Sequence, residues 1–303
     1  MKGYVATIGM FDGVHRGHQF VLRHVVETAR ACGLCSMAIT FDRALRHVPL
    51  LTPLDEKVRL LKACGIDRVE VLPFTDELRQ MTAREFMQRV LQEQYGVKML
   101  LTGYDNRFGR NREEGFDDYV QYGRELGMEV RCLPPAPSSP PLNAPALWAP
   151  PLSKRGRGSN VSSSCIRELL AEGRVDDAAE CLGHYYAVSG HVEHGEHIGT
   201  QLGFPTANIL PANSDQLIPA NGVYAVSVHL GEAVFKGMMN IGWRPTFDGR
   251  QQTLEVHIFH LHEDLYGQPL RVEFVRRLRE EQRFATKEAL IEQLQKDAID
   301  AQQ

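Results

Sequence analysis

The sequence predicts an α/β protein in two parts: an N-terminal domain built on a parallel sheet with helices on both faces, then a small antiparallel β-barrel with a terminal helix. Three observations carry this. Up to about residue 132, short apolar runs alternate with segments of helical periodicity. Residues 133 to 158 are crowded with proline. From Tyr185 onward, short β-prone runs follow at close spacing, broken by Gly, Pro and Asn.

In the first part, Val5 to Ile8, Ser36 to Phe41, Arg68 to Leu72, Met99 to Thr102 and Glu129 to Cys132 read as strands. Helical spacing marks Gln19 to Ala31, Leu54 to Ala63, Ala83 to Gln94 and Gly115 to Leu126. Prolines 134, 135, 137, 140, 141, 145, 150 and 151 exclude a helix or central strand, so 133–158 is expected to be a linker. Its basic end, Lys154-Arg155-Gly156-Arg157, leaves open a flap over phosphates. Two short helices, Ser162 to Ala171 and Val175 to Leu182, come next. The barrel strands are expected at Tyr186 to Val192, Gly222 to Leu230, Val234 to Ile241, Gln252 to His257 and Pro269 to Phe274, with a final helix from Lys287 to Ala301. The domain boundary is expected near 183, giving domains 1–182 and 183–303.

A chain of 303 residues holds two cores. A formal charge of −4 argues against a general electrostatic grip on nucleic acid, so any phosphate site must be local. No apolar run approaches bilayer length and the N-terminus lacks a secretory signal pattern, so the expected compartment is the cytoplasm, with no membrane partner. The six cysteines show no disulfide-framework spacing. Cys32-Gly33-Leu34-Cys35 has no second CxxC and falls at a helix-to-strand turn, which favours two small half-buried residues over a zinc or redox site. Nothing in the sequence sets an oligomeric state.

Chemistry enters at Gly9-Met10-Phe11-Asp12-Gly13-Val14-His15-Arg16-Gly17-His18, between the first strand and the first helix. A helix start offers free N–H groups and a positive dipole end to an anion, glycines let a phosphate approach the main chain, and two imidazoles add hydrogen bonds to developing charge. Taken alone, H-x-G-H is an ordinary polar loop. In this context it resembles the HxGH signature of the nucleotidyltransferase superfamily. The longer string from Thr7 to Gln19 resembles the bacterial bifunctional riboflavin kinase/FMN adenylyltransferase family, the FAD synthetases.

That resemblance implies a Rossmann-like nucleotidyltransferase domain in which the FMN phosphate attacks the α-phosphorus of ATP. Gly9, Phe11, Asp12 and Gly17 would belong to the ATP loop. Gly103 to Gly109 is similar to the family's G-x-[DN]-F-x-F-G loop, with Asn106 where Phe is usual, and it nominates Asp105 as a nucleotide contact. Val161-Ser162-Ser163-Ser164-Cys165-Ile166-Arg167 is similar to I-S-S-T-x-I-R. Serines at a helix start are good N-caps in any protein; with HxGH in the same domain they read as a second phosphate cradle of Ser163, Ser164 and Arg167 beside His15 and His18. The chain departs from the family at Arg43-Ala44-Leu45, where Pro-His-Pro is usual, and in its proline-rich linker.

Leu202-Gly203-Phe204-Pro205-Thr206-Ala207-Asn208 resembles the GxPTAN motif of riboflavin kinases. The Thr206 hydroxyl and Asn208 carbonyl are hard ligands suited to Mg²⁺ on nucleotide phosphates, and Gly195 and Gly199 shape a loop for them. Alone, PTAN is a turn between strands; ordered partners follow in Gly222 to Ala225, Asn240-Ile241-Gly242, Pro245-Thr246-Phe247 and Leu254-Glu255-Val256-His257. The resemblance makes Glu255 the general base toward the ribityl 5′-hydroxyl and gives flavin contacts to Asn240, Thr246 and Arg279, the last closing a loop over the flavin. Thr200 stands where Arg is common. The expected substrates are ATP, riboflavin and FMN, with FAD as product. The rivals are a kinase whose first domain does not turn over, and a non-catalytic flavin-responsive regulator, which an outward-pointing Glu255 would favour.

Overall fold

A computed structural model describes residues 3–42, 48–103, 106–135, 161–194, 199, 202–246, 249–261 and 263–303. The chain divides into two compact units, the second of which takes in everything from Ser163 onward.

The first unit is a five-stranded parallel sheet in the order β3-β2-β1-β4-β5. Its strands are β1 (Tyr4–Ile8), β2 (Cys35–Phe41), β3 (Arg68–Leu72), β4 (Val97–Gly103) and β5 (Glu129–Leu133). The central strand β1 is buried from Val5 to Ile8 because helices cover both faces. On one face, α1 (Arg16–Ala31) and α2 (Leu54–Ala63) bury Leu22, Val25, Leu60 and Leu61 against Val5 and Ala38. On the other, Met87, Leu91 and Tyr119 pack on Ala6, Ile39 and Leu100. The chain runs outward from β1 to β3, then crosses to β4 and β5. The order therefore reverses between β1 and β4, where sheets of this kind bind ligands beyond the carboxyl ends of the strands.

The helix expected at Ala83 to Gln94 is present with an altered winding. A capping box opens α4 (Ala83–Glu85): Thr82 Oγ1 accepts from the Glu85 N–H at 3.2 Å, and the Glu85 carboxylate accepts from the Thr82 N–H at 2.9 Å. From Phe86–Gln94 the turns widen to π-helical spacing, ending with the Tyr95 N–H on the Val90 carbonyl. Ahead of it, α3 (Asp76–Gln80), capped by Thr75, is a helix that the periodicity was too short to register. In α5 (Phe116–Leu126), Tyr119 is fully buried and stacked on Phe108. Its hydroxyl takes the Phe108 N–H at 3.0 Å and faces the carbonyls of Phe108 and Glu114, each at 3.1 Å. Tyr119→Phe strands those groups and should lower stability by about 1–3 kcal/mol. The check is a lower denaturant midpoint at unchanged slope.

The second unit is a closed six-stranded antiparallel barrel in the order β10-β7-β6-β11-β8-β9. The strands are β6 (Tyr186–Glu193), β7 (Ala207–Pro211), β8 (Gly222–Leu230), β9 (Ala233–Thr246), β10 (Gly249–Ile258) and β11 (Pro269–Arg279). Tyr186, Tyr224, Phe274, Met239 and Val256 fill the interior. The terminal helix α8 (Lys287–Gln302) lies against β8, β9 and β11.

Two further helices, α6 (Ser163–Ala171) and α7 (Val175–Leu182), pack with the barrel although the sequence places the break near 183. Val175, Ala178, Ala179 and Leu182 form the buried face of α7, which lies on β11 and β6. Arg277 ties the turn between the helices to the barrel, donating to the Glu172 carbonyl at 3.4 Å and to the Asn221 carbonyl, with its guanidinium against Gly173. Cys32 is exposed and Cys35 half-buried on either side of the Gly33 turn. The proposed flap residues 154–157 and Arg43 to Leu45 lie outside the described residues.

Candidate active sites

The loop leaving β1 is under backbone strain. Phe11 and Val14 have φ of 49° and 39°, a region that L side chains seldom occupy, and Gly13 sits at 86°. Asp12 holds the loop: its carboxylate accepts from the Leu51 and Thr52 N–H groups, each at 3.0 Å, while Thr52 Oγ1 accepts from the Gly13 N–H at 3.0 Å. The Phe11 side chain is only 3% exposed and packs edge-on to the His18 ring. Asp12 and Phe11, expected among ATP contacts, are thus engaged in shaping the loop.

His15 is the N-cap of α1. Its Nδ1 accepts from the His18 N–H at 3.4 Å, which leaves its ring proton on Nε2. The two imidazoles stack with centroids 3.6 Å apart and planes 17° from parallel. Gly17 permits this, because a Cβ there would lie 3.2 Å from the His15 ring. Burial, then the neighbouring His15 and Lys57, push the His18 pKa well below its ordinary value, so the ring is neutral. Among the described residues, His18 Nδ1 and Arg16 Nε are buried without a hydrogen-bond partner. Two orphaned nitrogens at a helix start mark a place where a ligand completes the hydrogen bonding. Gly17→Ala should displace the His15 ring and slow FAD formation roughly tenfold, with thermal stability nearly unchanged; a steady-state assay with FMN and ATP checks it.

Beside this loop a cavity of about 690 Å³ opens past the ends of β1, β2 and β3. Phe41, Phe74, Phe86 and Phe108 give it aromatic walls, and Arg107 and Arg110 are among its polar lining. Asn106 closes its floor, donating from its side-chain amide to the Ile8 carbonyl. Asp105 lies outside the described residues. Ser163, Ser164 and Arg167 are on α6, in the second unit.

In the barrel, register does what motif spacing cannot show. Glu255 on β10 stands directly opposite Asn208 on β7 and opposite Asn240 on β9. Directly opposed residues share a face, so Asn208, Glu255 and Asn240 form one row across three adjacent strands. Leu254 and Val256 point into the barrel, and the row lies on its outer surface, half-buried. Glu255 does point outward, and so do the two amides beside it. Thr206 immediately precedes β7, and Gly199 backs onto it: a Cβ on Gly199 would lie 3.1 Å from Thr206 Oγ1 and collide with the Phe204 carbonyl. His257 Nδ1 pairs with the Pro205 carbonyl at 2.7 Å, tethering this loop to β10. Gly195 and Thr200 lie outside the described residues.

The family model described as riboflavin kinase matches residues 182–303, and that described as FAD synthetase matches 1–139. A curated bifunctional riboflavin kinase/FMN adenylyltransferase of Escherichia coli strain K12 is 37% identical, covering 100% of this chain and 93% of its own length. Proteins of the same name are 38% identical in Pseudomonas fluorescens, over 95% of this chain and 89% of theirs, and 30% identical in Bacillus subtilis, over 98% and 91%. The chain belongs to the bifunctional riboflavin kinase/FMN adenylyltransferase family. A crystal structure described as a macrolide-efflux protein from Streptococcus pneumoniae is also similar, with 27% identity, a TM-score of 0.83 and coverage of 100% of this chain and 95% of that one. The efflux description belongs to that protein. Among the described residues of this chain, no helix is long and apolar enough to cross a membrane.

The remaining family positions divide by what they touch. The Arg279 guanidinium, expected over the flavin, is held by the buried Asp297 carboxylate of α8 at 2.8 Å and packs over Phe284. Its place is at the root of the segment after β11. Thr246 ends β9. Two residues not anticipated from sequence stand beside Asn240: Glu281, which occupies the space left by Gly242, and Asn221, whose amide donates to Glu281 at 3.2 Å.

Proposed function

We propose that the barrel region transfers the γ-phosphoryl group of ATP to riboflavin, giving FMN and ADP, and that the N-terminal region adenylates FMN, giving FAD and pyrophosphate. The observation that carries the kinase half is the row of Asn208, Glu255 and Asn240. For the adenylyltransferase half it is the stacked, neutral histidine pair with its orphaned nitrogens. Residues 1–182 serve adenylyl transfer and 183–303 phosphoryl transfer. Ser163, Ser164 and Arg167 are assigned to the ATP phosphates of adenylyl transfer by their motif alone.

In phosphoryl transfer, Glu255 takes the proton of the ribityl 5′-hydroxyl as that oxygen bonds the γ-phosphorus and the bond to ADP breaks. Thr206 and Asn208 offer only hydroxyl and amide oxygens, a hard donor set that fits Mg²⁺. Bound there, Mg²⁺ would neutralise phosphate charge. Asn240 and Thr246 are proposed to orient the flavin, with Arg279 and Asp297 anchoring the segment behind them.

In adenylyl transfer, an FMN phosphate oxygen attacks the α-phosphorus and pyrophosphate leaves, so no proton need move. His15 and His18 donate hydrogen bonds to the charge gathering on the phosphates. The aromatic cavity is proposed as the seat of the isoalloxazine ring of FMN, with Arg107 and Arg110 available to the FMN phosphate. The test is incubation of the purified protein with riboflavin, ATP and Mg²⁺, following all four products by chromatography. FMN then FAD is expected. FMN without FAD or pyrophosphate would leave a kinase alone, and flavin binding without ADP would leave the regulator.

A further inference from the structure

Near the loop that carries the two histidines lies a cation that neither reaction above employs. Lys57 stands on α2 with 6% exposure, and its Nζ donates to the Phe41 carbonyl at 2.9 Å, at the carboxyl end of β2. An ammonium has three N–H groups. Among the described residues no other hydrogen bond engages this one, and no carboxylate lies within ion-pair distance of it. The charged groups acting on it do so at longer range, and their own contacts are made elsewhere. Asp12 is occupied by the backbone of Leu51 and Thr52, and Asp42 accepts from the Phe74 N–H at 3.0 Å. Its charge is also felt by His18.

Lysines are almost never fully buried unless paired. Among the described residues no ionic partner is found for it, at the end of the sheet where ligands bind, next to a loop whose His18 Nδ1 and Arg16 Nε also lack partners among the described residues. Burial pushes Lys57 down, and Asp12 and Asp42 act against that. A lysine serving only to tie α2 to β2 has no need of a charge, since a neutral donor would satisfy the Phe41 carbonyl equally.

We propose that Lys57 is a cationic group of the adenylyl-transfer site, whose counter-ion is the phosphate chain of ATP and the pyrophosphate that leaves it. The inference rests on the adenylyltransferase reading of the first unit. Its role is electrostatic: a positive charge held in a dry setting strengthens as negative charge shifts onto the departing phosphates, and fixing it beforehand spares reorganisation at the moment of transfer.

The experiment titrates inorganic pyrophosphate into the full-length wild type, Lys57→Met and Lys57→Arg by calorimetry, and measures FAD formation from FMN alongside. Loss of one charge-assisted contact should weaken pyrophosphate binding by about tenfold or more in Lys57→Met, while Lys57→Arg stays within a few-fold of wild type. The melting temperature of Lys57→Met should not fall, because an unpaired buried charge has been removed. Riboflavin phosphorylation, in the other unit, should be unchanged. Pyrophosphate binding equal to wild type in Lys57→Met, or equal losses in the Met and Arg variants, overturns the proposal and leaves a tether. Should Lys57→Met fail to fold, Lys57→Gln takes its place, keeping a donor for Phe41 without the charge, and is read by the same outcomes. A wild type that binds pyrophosphate yet makes no FAD would instead remove the reading on which the inference rests.

Discussion

Glu255→Gln is expected to lower the rate of FMN formation by about 10³-fold while the same protein adenylates added FMN at an undiminished rate. The amide matches the carboxylate in size, so the row with Asn208 and Asn240 should keep its register and the change is confined to the proton acceptor. Because phosphoryl transfer is driven largely by positioning and charge neutralisation, the loss should fall on kcat, with the KM for ATP nearly constant. Adenylation is the internal control. Sites that share no residues act additively, so a folded variant should show FAD formation within about twofold of wild type. Retention of more than about a tenth of the kinase rate would remove Glu255 from the role of base.

The reach of the sequence differs between the two units. Alternation of apolar strands with amphipathic helices is enough to recover β1 to β5 and the placement of the histidines at the start of α1, because period and capping are local properties. The aromatic cavity escaped because its walls come from segments that only the sheet order brings together, and no window of sequence contains two of them in a recognisable spacing. β7 escaped because five residues carrying Asn208 and ending at Pro211 have too little β-prone character to stand out. Motif likeness could nominate Asn208, Glu255 and Asn240 one by one, and it was strand register that made them neighbours. Asp12, Phe11 and Arg279 show the converse. A motif names such positions without saying what they touch within the protein, and the hydrogen bonds of Asp12 and the ion pair of Arg279 supply that. Lys57 belongs to no motif read from the sequence, and it emerges only when a buried ammonium is found with one acceptor for three donors.

His18→Ala is expected to reduce FAD formation by about 10²- to 10³-fold, with phosphorylation of riboflavin unaffected. The ring supplies a hydrogen-bond donor at a helix start where charge develops, and it reaches that place already oriented by stacking on His15 and by the edge of Phe11. Its depressed pKa sets the pH behaviour. In the unfolded chain the imidazole takes up a proton near its ordinary value of about 6.5, whereas in the folded protein it resists until the pH is much lower. Below about 6.5 the unfolded state therefore binds more protons, and His18 withdraws stability as the pH falls toward its folded pKa; above about 6.5 its contribution is complete. Replacing it with alanine should flatten the fall in stability between about pH 7 and pH 5, measured by denaturant titration at each pH. The wild-type rate of FAD formation should likewise show no inflection near pH 6.5 from this group, because a ring that is neutral throughout that range has nothing to titrate. Equal loss of both activities in a folded His18→Ala protein would mean that the two reactions share a site, and the division of labour between the strained loop and the barrel row would have to be abandoned.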